Sequence, residues 1–205
     1  MRFIQKWSFA CARGLARKQN DSNSKRREYY FAFQMLIGGA LTAITIAAAA
    51  FLLGILIETA AVVFFFGILR AVAGGYNIKN NSRRMLTSIA MFLPAGLLVK
   101  YTHRLLPPGY ITALTIAVLI LGLSVLIKRA PADTPDKPIT DPDQIRKLKI
   151  YSVIEISAGF IASLVLISFG LGRFALAGCL GVLLAAFMLS SAGYRFFGMI
   201  SGRYY

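Results

Sequence analysis

The sequence predicts an all-helical integral membrane protein with about six transmembrane helices. Three observations predict it. The 205 residues are 57% hydrophobic and only 15% charged, which is too apolar for a soluble domain of this length. The apolar residues gather into tracts long enough to cross a bilayer, at about 20 residues per crossing. The charge is lopsided, 23 Lys and Arg against 8 Asp and Glu, for a net charge of +15. Disorder is excluded, because it needs low hydrophobicity together with high charge. A soluble nucleic-acid binder would explain the charge but not the apolar excess. Two cysteines do not make a disulfide scaffold. No cofactor and no metal site is expected.

Six spans follow in order. Phe31 to Leu69 is one apolar tract whose only charge is Glu58. Its 39 residues would reach about 58 Å as helix, roughly two crossings. It therefore reads as a hairpin of spans 31–52 and 55–70 that turns at Gly54. Met85 to Val99 is a third candidate, with Pro94 inside it. At 15 residues it is expected to be kinked, locally thinned or shielded, or re-entrant. Tyr110 to Ile127, Ile150 to Phe169 and Phe174 to Ala192 complete the set. The chain then divides into an interfacial segment 1–30, a transmembrane domain 31–192 and a tail 193–205.

The basic residues sort by loop. Twenty of the 23 lie before span one, in loops 70–84 and 128–149, or after span six; only Lys100, Arg104 and Arg173 fall elsewhere. With six spans all four basic segments share one side, which the positive-inside rule makes cytoplasmic, together with both termini. In the first segment Phe3, Ile4, Trp7, Ala10 and Cys11 recur at helical spacing among Arg2, Lys6, Arg13 and Arg17. This is the pattern of an amphipathic helix on anionic inner-leaflet lipids, not of a signal peptide.

Ionisable groups inside spans are functional candidates, and here they are Glu58 and Glu155. Glu58 sits near the hairpin turn and reads as an interfacial carboxylate. Glu155 lies about two turns into span five and reads first as half of an ion pair. Cys11 and Cys179 belong to different levels, so no bridge is expected. His103 has no evident partner. Gly159, Gly178 and Gly181 offer close helix contacts, within the chain or with a second copy as a homodimer.

Two loops are more distinctive. After span two comes Arg70, then Gly74-Gly75-Tyr76-Asn77, then Lys79 to Arg84. The adjacent glycines permit a tight turn. After span four comes Ala130-Pro-Ala-Asp-Thr-Pro-Asp-Lys-Pro-Ile139, stiffened by its prolines. These two loops resemble the accessory gene regulator B (AgrB) family, bacterial cytoplasmic-membrane cysteine endopeptidases that trim the precursor of a quorum-sensing autoinducer peptide. The family pattern is Arg, three residues, Gly-Gly, one residue, His, six residues, Cys, followed later by the proline-rich signature. Arg70, Gly74 and Gly75 match it, as does Ala130 to Ile139. The dyad does not: Asn77 stands at the His position and Arg84 at the Cys position.

The resemblance implies a thiolate nucleophile and an imidazole base. Asn has no titratable ring and Arg no nucleophile, so the sequence predicts a protein without peptidase activity. Ser82 has no neighbouring base to replace them. Arg70, Gly74, Gly75, Lys79, Arg83 and Glu155 remain as candidates for holding an amphipathic precursor peptide. Two other readings stay open: an engineered or diverged variant of an active membrane endopeptidase, and a non-enzymatic membrane scaffold or regulator. No nucleic-acid partner is needed.

Overall fold

The structure is a computed structural model of the chain. It describes residues 2–19, 21–76, 78, 80–129 and 142–201. It is all-helical, in the order α1 (Arg2–Lys18), α2 (Asn23–Leu52), α3 (Leu56–Ala73), α4 (Asn81–Leu105), α5 (Pro108–Arg129), α6 (Pro142–Ser168), α7 (Gly172–Leu189) and α8 (Ser191–Ser201). Helices α2 to α7 are the six that are long and apolar enough to cross a membrane. Among the described residues both cysteines are free.

The hairpin turn falls where the sequence places it. Gly54 has φ 64°, and the Ile55 N–H donates back to Ala50 at 2.8 Å, closing the end of α2. Lys100, near the end of α4, donates to the Gly54 carbonyl at 3.1 Å. This puts the α2–α3 turn and the α4 C-terminus at one end of the bundle. The third span departs from expectation. It is not a 15-residue fragment but part of a 25-residue helix that runs through Pro94. Its hydropathy looked short because Arg83, Arg84, Lys100, His103 and Arg104 occupy its two ends. At about 1.5 Å per residue α4 reaches roughly 37 Å, so no thinning is required of it.

Helix α7 is the axis of the bundle. Half of its apolar window is buried, against 17% to 28% for the other spans. Its sequence explains this: Ala175, Ala177, Gly178, Cys179, Gly181, Ala185 and Ala186 let neighbours approach closely. The closest approach is to α3. A Cβ at Gly181 would lie 2.9 Å from the Phe66 amide nitrogen and 3.0 Å from the Val62 carbonyl oxygen. Gly178 also faces α3, through Phe65, and Ser163 of α6. A Cβ at Gly159, read with them as a contact glycine, would meet nothing within 4 Å among the described residues. Other glycines, not singled out by the sequence, also make contacts: Gly122 meets Ile156 and Val182, and Gly96 meets Thr59. Cys179 is a packing residue whose thiol donates to the Thr115 hydroxyl at 3.4 Å.

Helix α1 packs on α2 alone among the stronger helix pairings. Ile4, Ser8, Ala12 and Ala16, four residues apart, are buried on it. The apolar stripe expected from the sequence divides accordingly. Ile4 turns to α2, whereas Phe3, Trp7 and Phe9 are exposed. At the α1–α2 junction Tyr29 donates to Asp21 at 2.6 Å and Lys25 donates to it at 3.0 Å. These two donors hold the Asp21 carboxyl below the usual carboxylate range. Helix α8 is the one element without a counterpart in the sequence reading, which carries span six to Ala192 and treats 193–205 as tail.

Two predictions follow from this packing. Gly181→Ala drives a methyl into the α3 backbone and lowers stability by about 1–3 kcal/mol, read as a lower melting temperature in detergent. Gly159→Ala leaves it unchanged. The Asp21 contacts are lost as pH falls through its depressed pKa and are complete above its unfolded pKa. Emission from Trp7, the single tryptophan, is therefore expected to shift only in acid, and Asp21→Asn to remove that acid shift.

Candidate functional site

The site is built where α3 ends. Arg70 lies in the last turn of α3, and the Gly74 N–H donates to its carbonyl at 3.0 Å. The chain then turns through Gly74 (φ 76°) and Gly75 (φ 129°), a left-handed pair that a side chain would strain. This is the tight turn the glycine pair predicts. Arg70 stabilises it from inside: one terminal nitrogen donates to the Tyr76 carbonyl at 2.9 Å and the other to the Met188 sulfur. Its guanidinium also lies over the Phe66 ring, 5.9 Å from the centroid.

Tyr76 and Ile78 are buried. Asn77 and Lys79 lie outside the described residues, as does the Ala130–Ile139 signature. The Tyr76 ring stacks on Phe197 at 6.0 Å and meets Tyr194 edge-on at 5.6 Å. Both partners belong to α8. Arg83 reaches the same helix and donates to the Ile200 carbonyl at 2.7 Å. Helix α8 is thus a strap across the open end of the bundle, fixing the glycine turn and the start of α4. The sequence hides it because its eleven residues are too few for a span.

Helix α4 opens with its own cap. The Asn80 side chain accepts from the Ser82 and Arg83 N–H groups, at 3.0 and 3.4 Å. One turn on, Arg84 points inward. One of its nitrogens donates to the Met35 sulfur at 3.5 Å; the other is buried with no hydrogen-bond partner among the described residues. Gly38 on α2 makes the room, since a Cβ there would collide with the Arg84 guanidinium.

Arg70, Tyr76 and Arg84 line one cleft of about 350 Å³, enclosed by α2, α3, α4, the glycine turn and the end of α7. Its walls are mostly apolar: Ile46, Val63, Phe66, Met91, Phe92 and Met188, with Thr42, Thr87 and Ser88 among them. Among the described residues no acidic one lines it. Arg83 and Glu155 are not among its lining residues either. Glu155 sits on α6, where the expected ion pair is not formed among the described residues: its Oε2 is buried without a hydrogen-bond partner. Glu58 is half-buried in the first turn of α3. Among the described residues His103 bonds the Val99 carbonyl one turn back, at 3.0 Å. No cluster of His, Cys, Asp and Glu suited to a metal ion occurs among the described residues.

The family model of accessory gene regulator B matches residues 8–189. The chain belongs to the accessory gene regulator B family. No curated protein and no solved structure matches it closely enough to add to that assignment. The match runs from α1 through the whole of α7, so the cleft lies inside it. AgrB membership supports a membrane protein of quorum-sensing peptide processing. Within the matched region, the first turn of α4 brings the Arg84 guanidinium to the cleft. Neither Cys11 nor Cys179 lines it.

The strap yields a prediction. Phe197 is fully buried, and Phe197→Ala is expected to cost about 3–5 kcal/mol of stability. Limited proteolysis should then cut first near the glycine turn, which loses the Tyr76 stacking partner. Unchanged protection there would show that α8 does not brace it.

Proposed function

We propose that this AgrB protein holds an autoinducer precursor peptide at the inner face of the bacterial cytoplasmic membrane without cleaving it. The observation that carries the reading is Arg84, which presents a half-buried guanidinium to the cleft where the family pattern has its nucleophile. Covalent peptidase chemistry needs a thiolate to attack the scissile carbonyl and a base to take and return the proton. A guanidinium stays protonated and has no lone pair to offer. Asn77, at the base position, has nothing to titrate.

What the cleft keeps is the means to bind. Its apolar walls suit the apolar side chains of an amphipathic peptide. Arg70 and Arg84 supply hydrogen-bond donors, and Thr42, Thr87 and Ser88 supply hydroxyl oxygens. The position of the cleft also favours this reading. It lies at the bundle end that carries the glycine turn, the α1–α2 junction and α8, which are the basic segments that the positive-inside rule assigns to the cytoplasm. The exposed Phe3, Trp7 and Phe9 of α1, beside Arg13 and Arg17, suit anionic lipid head groups at that level. A peptide lying on the inner leaflet would reach the cleft without crossing the membrane.

Co-expression with a candidate precursor tests the reading. The precursor is expected to co-purify with the full chain and to keep its length on mass spectrometry. Cleavage by the unaltered chain would overturn the inactive reading. Restored cleavage by Asn77→His with Arg84→Cys would show that the peptide groove is intact. Absence of co-purification together with no restored cleavage would favour a membrane regulator that does not handle peptide.

A further inference from the structure

We infer that the cleft takes a carboxylate of its peptide ligand between Arg84 and Arg70, so that the residue replacing the nucleophile serves as an anion clamp. The inference rests on the peptide-holding reading and names the chemistry of the bound group.

Two guanidinia enter the cleft from different helices, Arg70 from the end of α3 and Arg84 from the start of α4. Both guanidinia line the same cleft. Neither has a carboxylate partner among the described residues. Arg70 is partly satisfied by the Tyr76 carbonyl. Arg84 is not: its bonded nitrogen has only a thioether, a weak acceptor, and the other has nothing. A half-buried guanidinium whose bonded nitrogen meets only a thioether gains from an anion that completes it. A carboxylate matches the guanidinium fork with two parallel hydrogen bonds.

Other sources of the signal are accounted for. The helix N-terminus is not the site, because Asn80 already takes the Ser82 and Arg83 N–H groups. Arg83 is committed to the Ile200 carbonyl. The apolar walls point to an acidic group flanked by apolar side chains. Peptide is favoured over a lipid phosphate by AgrB membership.

The test uses the full chain in nanodiscs of zwitterionic phosphatidylcholine. The probe is a fluorescein-labelled decapeptide of alternating Leu and Glu, compared with the same peptide carrying Gln for every Glu. Anisotropy is read after subtraction of empty discs. The acidic peptide is expected to bind about tenfold or more tightly than its amide counterpart. Arg84→Gln should abolish that preference and Arg84→Lys retain part of it. Arg104→Gln, at the opposite end of α4, should leave it unchanged. Equal binding of both peptides to the unaltered chain would overturn the clamp and leave peptide holding intact. Binding of neither would overturn both. Persistence of the preference in Arg84→Gln would also overturn the clamp, as would its loss when phosphatidylglycerol is added to the discs, which would assign the site to a lipid phosphate. If Arg84→Gln is not monodisperse on gel filtration, Arg84→Lys and the acid-against-amide comparison decide.

Discussion

The close crossing of α3 and α7 at Gly181 is the constraint on which the rest depends. In a bilayer, lipid tails are as apolar as the helices, so burial of apolar surface drives association weakly. Helices must instead gain from contact itself, and contact is best where backbones approach. Gly181 lets the α7 backbone come against the Phe66 nitrogen and the Val62 carbonyl. Around that point the small residues of α7 accept α5, α6 and α4 in turn. The most buried helix is therefore the one with the smallest side chains, the reverse of a soluble core filled by large ones.

That crossing also positions the site. It brings the last turn of α7 beside the last turn of α3, so Met188 meets Arg70 and lies against Gly75. Arg70 then fixes the glycine turn through the Tyr76 carbonyl. Tyr76 in turn seats α8, and α8 returns to hold Arg83 at the head of α4. The sequence from Gly181 to Arg84 is a chain of contacts, each set by the one before. A change in the helix crossing should therefore be felt at the cleft even though no residue of the crossing lines it, apart from Phe66.

Much of this was legible before the structure, for definite reasons. Hydropathy is a property of composition, so the six spans and the Gly54 turn could be read directly. The Gly74-Gly75 turn was legible because adjacent glycines have few other uses after a span. The ends of α4 were not legible. Charged residues within a turn of a helix end lower mean hydropathy without ending the helix, since their long side chains reach past the apolar zone. Contact glycines divided unpredictably, because what a glycine does depends on the residue opposite. Gly178 and Gly181 meet α3, Gly159 meets nothing among the described residues, and Gly96 and Gly122 were not singled out at all. Arg84 was recognisable as the departure from the family pattern, but its buried nitrogen and its fit against Gly38 required the fold.

The fit of Arg84 bears on what a guanidinium at this position means. A guanidinium is far larger than a sulfhydryl, and it enters the cleft only because α2 presents Gly38 opposite it. A Cβ at that point would occupy the same space. Met35 of α2 offers its sulfur nearby, which a guanidinium tolerates as a weak acceptor. Position 84 and the facing surface of α2 are thus complementary in shape and incomplete in charge. Shape complementarity without charge compensation is what a site built for an incoming anion requires. A cation added to a peptidase merely to silence it would need neither the space nor the inward orientation, because loss of the thiol alone suffices. On the anion-clamp proposal, that orientation makes Arg84 a binding group.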